Sequence, residues 1–308
     1  MRVTHRMMTE NAIHNMSENL EKLTSLQTKL STGKQFQVAS EDPARASTSL
    51  SLRSNLRSLE AYSNTAESAL NWMTATDSAF DQLNDIGIRA TNLILRGIND
   101  TLSGSERANT LATEMQDLLN QAVELGNTSE NNQYIFSGYQ LNSKAFELVD
   151  STTPLLDYQG VAFTPKVVNY LGDTGVMQRN LGPDQTVTLN VRGDQAINGL
   201  LQNLVLAKNA LMQNDTASLQ PLLTSLRSSL DALGEYRTSN GSRMRQVEAA
   251  ANFLVSMQIE TKSLLSQNED INIAEGISLL ANQQTTYDAV LQVGQRAISA
   301  LSLFDYMK

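Results

Sequence analysis

Along both flanks of this 308-residue chain, apolar residues recur at three- and four-residue spacing over stretches longer than an ordinary globular helix. Ile13, Met16, Leu20, Leu23 and Leu30 follow one another with only Gln27 out of step. Leu52, Leu56, Leu59, Ala66, Leu70, Met73 and Phe80 keep the same spacing, with the polar Ser63 and Asp77 as interruptions. The limits are written locally. Ser31-Thr-Gly33 ends the first helix, and Gly97 closes the second. Asp42-Pro43 opens the second, because a carboxylate caps free N–H groups and proline fits a first turn without losing a hydrogen bond. From 43 to 97 the spacing predicts one helix about 80 Å long. Ser103-Gly-Ser-Glu106 reads as a capping box for a third helix carrying Leu111, Met115, Leu118, Ala122 and Leu125, which turns back along the second.

The middle of the chain differs in kind. Pro154, Pro165 and Pro183 fall among closely spaced glycines, and Tyr134 to Tyr170 holds seven of the sixteen aromatic residues. Thr164-Pro-Lys-Val-Val-Asn-Tyr170 and Thr186-Val-Thr-Leu-Asn-Val191 cluster β-formers between turn residues, which predicts a small β domain over 139–195. Helical pattern resumes near Asp194 and continues past Pro221 through Val247, Leu254 and Leu264 to a last stretch with Ile277, Leu280, Tyr287, Leu291, Ile298, Leu301 and Phe304. Asn240-Gly241 is either a turn or a close approach in a continuous helix, and continuity is the preferred reading.

A lone helix is marginal in water, so the two terminal segments are natural partners. The expected fold is mainly α with a small β insertion: a folded-over helical rod of antiparallel helices from both termini, carrying a central β domain. It divides into terminal coiled-coil helices at 1–40 and 272–308, expected to be disordered in the monomer. A long-helix portion follows at 41–138 and 196–271, with an outward-facing β domain at 139–195.

Between Gly276 and Phe304 only Asp288 and Arg296 are charged. So little charge around a helix suggests contact with more than one neighbour, as in an oligomer core; the alternative is a buried helix in a monomeric bundle. The candidate assembly residues are therefore Ile13, Met16, Leu20, Leu23, Leu30, Ile277, Leu280, Tyr287, Leu291, Ile298, Leu301 and Phe304.

Other chemistries find no support. The chain has no cysteine, which excludes disulfides, thiolate metal sites and Cys nucleophiles. A net charge of −9 without a basic stripe argues against nucleic acid, since counterion release needs clustered Lys and Arg. No run reaches the roughly 18 apolar residues of a membrane span, and the first ten residues lack the apolar core of a secretory signal. Ser31-Thr-Gly-Lys34-Gln35 lacks the first glycine and the hydroxyl of a phosphate loop. Asp270-Ile-Asn-Ile-Ala-Glu275 lacks the turn glycine of a calcium loop and reads as an acidic helix start. His5 and His14 build no triad or zinc set. Neither a catalytic constellation nor a cofactor is expected.

Leu30-Ser-Thr-Gly-Lys34, Ala39-Ser-Glu-Asp-Pro-Ala44 and Asp270-Ile-Asn-Ile-Ala-Glu275, in this order and at these distances from the termini, resemble the flagellin superfamily. Thr101-Leu-Ser-Gly-Ser-Glu-Arg-Ala108, Tyr134-Ile-Phe-Ser-Gly-Tyr139 and Leu301-Ser-Leu-Phe-Asp-Tyr306 are similar to its hook-associated branch. Glu41, Asn272 and Gly276 depart from the usual residues. The resemblance implies a mechanical role outside the cell, after export through the flagellar type III channel. The implied role is a ring of copies between hook-associated protein 1 and the flagellin filament, with an export chaperone on the C-terminal helix beforehand. A flagellin filament subunit and a cytoplasmic coiled-coil scaffold are the rival readings.

Overall fold

The computed structural model of the protein describes residues 2–99 and 101–306, with side chains described at position 7 and from 9 to 296, apart from residue 100. The chain is mainly helical, with small antiparallel strand pairs in its central region. It groups into two compact units, residues 59–256 and residues 1–58 with 257–308.

Helix α1 spans Arg2–Thr32 and α2 Pro43–Ile98. Gly33, in the left-handed region at φ +70°, follows α1, and the Asp42 carboxylate accepts a hydrogen bond from the Arg45 N–H at 3.0 Å at the start of α2. Helices α3 (Gly104–Glu106) and α4 (Ala112–Gly126) are joined by a π-helical turn, Arg107–Leu111. The capping box is present: Ser103 Oγ accepts from Glu106 N–H at 3.2 Å, and the Glu106 carboxylate accepts from Ser103 N–H at 2.9 Å. Helices α5 (Gly193–Ala196), α6 (Asn198–Gln213), α7 (Thr216–Glu269) and α8 (Ile273–Tyr306) complete the set.

Within 59–256, α2 and α7 run antiparallel. Asn240 Nδ2 donates to the Met73 carbonyl at 2.9 Å, Arg237 pairs with Asp77 at 3.1 Å and with Asp81, and Gly87 faces Leu230. Gly87 has a packing reason, since a Cβ there would lie 2.2 Å from Leu230 Cδ2. Helix α7 is continuous through Asn240-Gly241. The helical pattern that resumes near Asp194 is divided between α6 and α7, because Asn214 takes the left-handed conformation at φ 56° and Asp215 caps α7 through Ser218. Pro221 sits in the second turn of α7, where only one helical hydrogen bond is lost.

Eight short strands form four separate pairs. Pairing begins at Ser129, ahead of the 139–195 stretch. Strands β1 (Ser129–Glu130) and β2 (Gln133–Tyr134) are joined by Asn131-Asn132, both at positive φ, as a two-residue hairpin turn requires. Strands β3 (Phe146–Asp150) and β6 (Lys166–Tyr170) enclose a smaller hairpin of β4 (Leu155–Leu156) and β5 (Ala162–Phe163). Strands β7 (Gln178–Asn180) and β8 (Thr186–Thr188) pair separately.

The segment Tyr134 to Tyr139 fastens strands to helices. Ile135, Phe136, Ser137 and Gly138 are all buried, and the Phe136 ring lies 5.5 Å from that of Phe80 on α2. The Phe136 carbonyl accepts from Gly193 N–H at 3.1 Å and from Tyr170 Oη at 3.0 Å. Burial pushes the Tyr170 hydroxyl up to about 12, which keeps it a donor at ordinary pH. Gly138, at φ +73°, lets the backbone of Asp173 approach where a Cβ would lie 2.7 Å from the Asp173 carbonyl oxygen.

Candidate assembly surface

Helices α1 and α8 pair antiparallel within the unit 1–58 with 257–308. Gln283 Nε2 donates to Asn19 Oδ1 at 3.0 Å, Gly276 faces Leu30, and Gly294 faces Met16. Helical spacing places Met16, Leu23 and Leu30 on the α1 side of this seam and Leu280, Tyr287 and Leu291 on the α8 side, and all six are half-buried. Leu26 and Val290 join them; each is three residues from a predicted neighbour and could have been found by extending the row.

The other predicted residues face away from the seam. Ile13 is 57% exposed, Leu20 45% and Ile277 57%, and the unpredicted Ile273, Leu279 and Val293 are similarly open. The side chains of Ile298, Leu301 and Phe304 lie outside the described residues. Both helices thus keep apolar side chains outside the seam, Ile13 and Leu20 on one flank of α1 and Ile273, Ile277, Leu279 and Val293 divided between the two flanks of α8. Leu20 also borders an open groove of about 580 Å³ with Ser17, Thr24 and Thr28, closed on one side by Gln37 and Glu41. Helices serving one partner need apolar residues on one face only; apolar side chains exposed beside the seam are a surface for further helices.

A charge cluster sits at the root of the pair. Glu269, 5% exposed, receives a bidentate hydrogen bond from Arg53 (Nε to Oε1 2.9 Å, Nη2 to Oε2 2.8 Å) and a third from Lys34 Nζ at 3.1 Å. Lys34 Nζ also donates to Asp270 Oδ1 at 2.6 Å, and Ser266 Oγ to Asp270 Oδ2. The backbone is zipped alongside: Gln35 N–H donates to the Glu269 carbonyl at 2.7 Å, and Ile271 N–H to the Gly33 carbonyl at 2.9 Å. Sequence reading missed this cluster. Asp270 serves Lys34 rather than the start of α8, where Asn272 Oδ1 instead lies 3.5 Å from Glu275 N. Lys34 itself pairs with two carboxylates.

Hydrogen bonds from Arg53 are the main cause that holds the Glu269 carboxyl at about 2, against an ordinary 4.5. A depressed carboxylate stabilises the fold above its unfolded value, and that contribution disappears as pH falls from about 4.5 toward 2. With both cations partly solvated, its size is about 2 kcal/mol. Protection factors of amides in α1 and α8, corrected for the slower intrinsic exchange of amides in acid, are therefore expected to fall between pH 5 and pH 2.5, and Glu269→Gln to flatten that fall; an equal response in both chains would contradict the assignment.

Residues 3–141 match the bacterial flagellin N-terminal helical region. The relatives below are likewise named as proteins of the flagellum. More particularly, it resembles flagellar hook-associated protein 3: the protein of that name from Salmonella typhimurium is 24% identical over 306 residues, covering 94% of each chain. A flagellin from Halalkalibacterium halodurans is 23% identical over 95% of this chain and 99% of its own. The fold matches the crystal structure of Bacillus cereus FlgL with a TM-score of 0.56 at 22% identity, over 70% of this chain and 99% of that one. Among the described residues no helix is long and apolar enough to cross a membrane, and no group of side chains could hold a metal ion.

Proposed function

We propose that the chain is a hook–filament junction protein, whose copies form a ring between hook-associated protein 1 and the flagellin filament. The observation that carries this reading is the set of exposed apolar side chains beside the α1–α8 seam, which includes Ile13, Leu20 and Ile277. Apolar side chains this exposed on paired helices gain burial only beside other helices, and copies of the same chain supply matching ones. Helices with so little core of their own can be delivered loosely ordered through a narrow export channel, held beforehand by a chaperone on the C-terminal helix, and become fully ordered outside the cell on docking.

Purified chain added to hook fragments carrying hook-associated protein 1 is expected to bind them and then to permit flagellin growth. The double substitution Ile13→Asp with Leu20→Asp is expected to abolish binding, because each aspartate would be a charge buried without a partner, while unfolding of 59–256 stays unchanged. Normal junctions from that variant would refute the proposal. The flagellin likeness favours a second reading, a filament subunit. Such a subunit polymerises alone into long fibres, which a junction protein does not.

A further inference from the structure

The α1–α8 pair has too little core to account for its own register. Among the described side chains of these two helices only Gly276 and Gly294 are buried; no Leu, Ile, Met, Val or Tyr is. Half-buried side chains retain about half of the 1.5–3 kcal/mol available from full burial, whereas each residue held in place costs about 1–2 kcal/mol of backbone entropy. A pair of this kind needs an anchor that brings its ends together, because closing the connection beforehand removes much of the cost of pairing.

We propose that Lys34, Arg53, Glu269 and Asp270 form an electrostatic latch that decides whether α1 and α8 are held as a pair, and so whether the assembly surface is presented. The latch gathers four stretches of chain: the segment that follows α1, the first turns of α2, the end of α7 and the lead into α8. Beside it Asn268 Nδ2 donates to the Arg45 carbonyl at 2.9 Å and to Ser49 Oγ at 2.7 Å, fixing the α7 end against α2. Glu269 is the pivot. It is the one cluster carboxylate that is buried, and both cations converge on it, so removing either cation leaves a poorly compensated charge, and removing Glu269 leaves Arg53 without its carboxylate and Lys34 with Asp270 alone. The cations are partly open to solvent, at 42% and 55% side-chain exposure, so salt can compete with the latch.

This inference rests on the reading of α1 and α8 as the assembly surface, but its test is separate. Hydrogen exchange is followed in the full chain and in its Glu269→Gln and Lys34→Met variants, at low and at 1 M salt. In both variants, amides of α1 and α8 are expected to exchange about tenfold faster at low salt, while those of 59–256 keep their rates and show that the chain is folded. In the unaltered chain 1 M salt is expected to reproduce part of the acceleration, and in Glu269→Gln to add none. Unchanged exchange in α1 and α8 in both variants, or an equal salt response with and without Glu269, would overturn the latch and leave the assembly proposal standing. If exchange responds as expected but Ile13→Asp with Leu20→Asp still joins hook fragments, the assembly proposal fails instead.

Discussion

Phe136→Ala is expected to lower the stability of the 59–256 unit by about 3–5 kcal/mol, the cost of emptying a fully buried aromatic site. Phe136 is inaccessible to solvent and packs on Phe80, while its carbonyl receives Gly193 and Tyr170. One residue thereby joins α2, the strand region and the entry to α5. Those backbone hydrogen bonds survive truncation, so the loss is of packing and comes without a change of architecture. The chain's single tryptophan, Trp72, is buried in the same unit and reports its unfolding by fluorescence. A fall in denaturant midpoint with an unchanged slope is the expected signature, and a loss below about 1 kcal/mol would show that neighbouring side chains refill the site.

Arg107→Met is expected to cost a comparable amount by a different route. Arg107 is 5% exposed, and its hydrogen-bond partners among the described residues are two backbone carbonyls and an amide oxygen. Its Nε donates to the Gly97 carbonyl at 2.8 Å, Nη2 to the Asn99 carbonyl at 2.7 Å, and Nη1 to Asn214 Oδ1 at 2.8 Å. The guanidinium thus closes the C-terminal end of α2, where helix carbonyls lack intrahelical donors and the dipole favours a cation, and fixes the turn between α6 and α7. Methionine leaves three acceptors unserved at about 1–3 kcal/mol each, less whatever water recovers, so about 3 kcal/mol is expected. Arg107→Lys should recover only part, since an ammonium on a flexible stem cannot span three diverging acceptors as a planar fork does. Full recovery by lysine would show that charge alone matters there.

These two residues also mark where the sequence stops being readable. Helix limits at Gly33, Pro43 and Gly97 and the Ser103–Glu106 box were legible because each signal acts within a turn of itself. The Arg107 clamp was not, because its partner Asn214 is 107 positions away, and Glu269 meets Arg53 across 216. The break at Asn214 was hidden by apolar spacing that continues from Leu204 and Leu211 to Leu219 and Leu223, since periodicity does not register a single left-handed residue. The Asn131-Asn132 hairpin was missed because its strands are two residues each, too short to alternate visibly. On α1 the row of apolar residues legible in the sequence merges two sides of the helix: Met16, Leu23 and Leu30 face the partner helix, and Ile13 and Leu20 are exposed beside it. A second helix sets that division, and no single-helix pattern contains it.

The hairpin of β4 and β5 is held inside that of β3 and β6, and its tip is tied to α6 at one point, where Tyr158 N–H donates to the Met212 carbonyl at 3.0 Å; Gly160 lies beyond that tie. Asp157 Oδ1 receives the N–H groups of Gln159 and Val161, and Gly160 has open space around it. Lengthening a surface turn costs only a logarithmic entropy penalty. An epitope or fluorophore-binding tag grafted at Gly160 should therefore leave folding intact, which makes this tip a practical handle for watching single molecules arrive at a growing appendage.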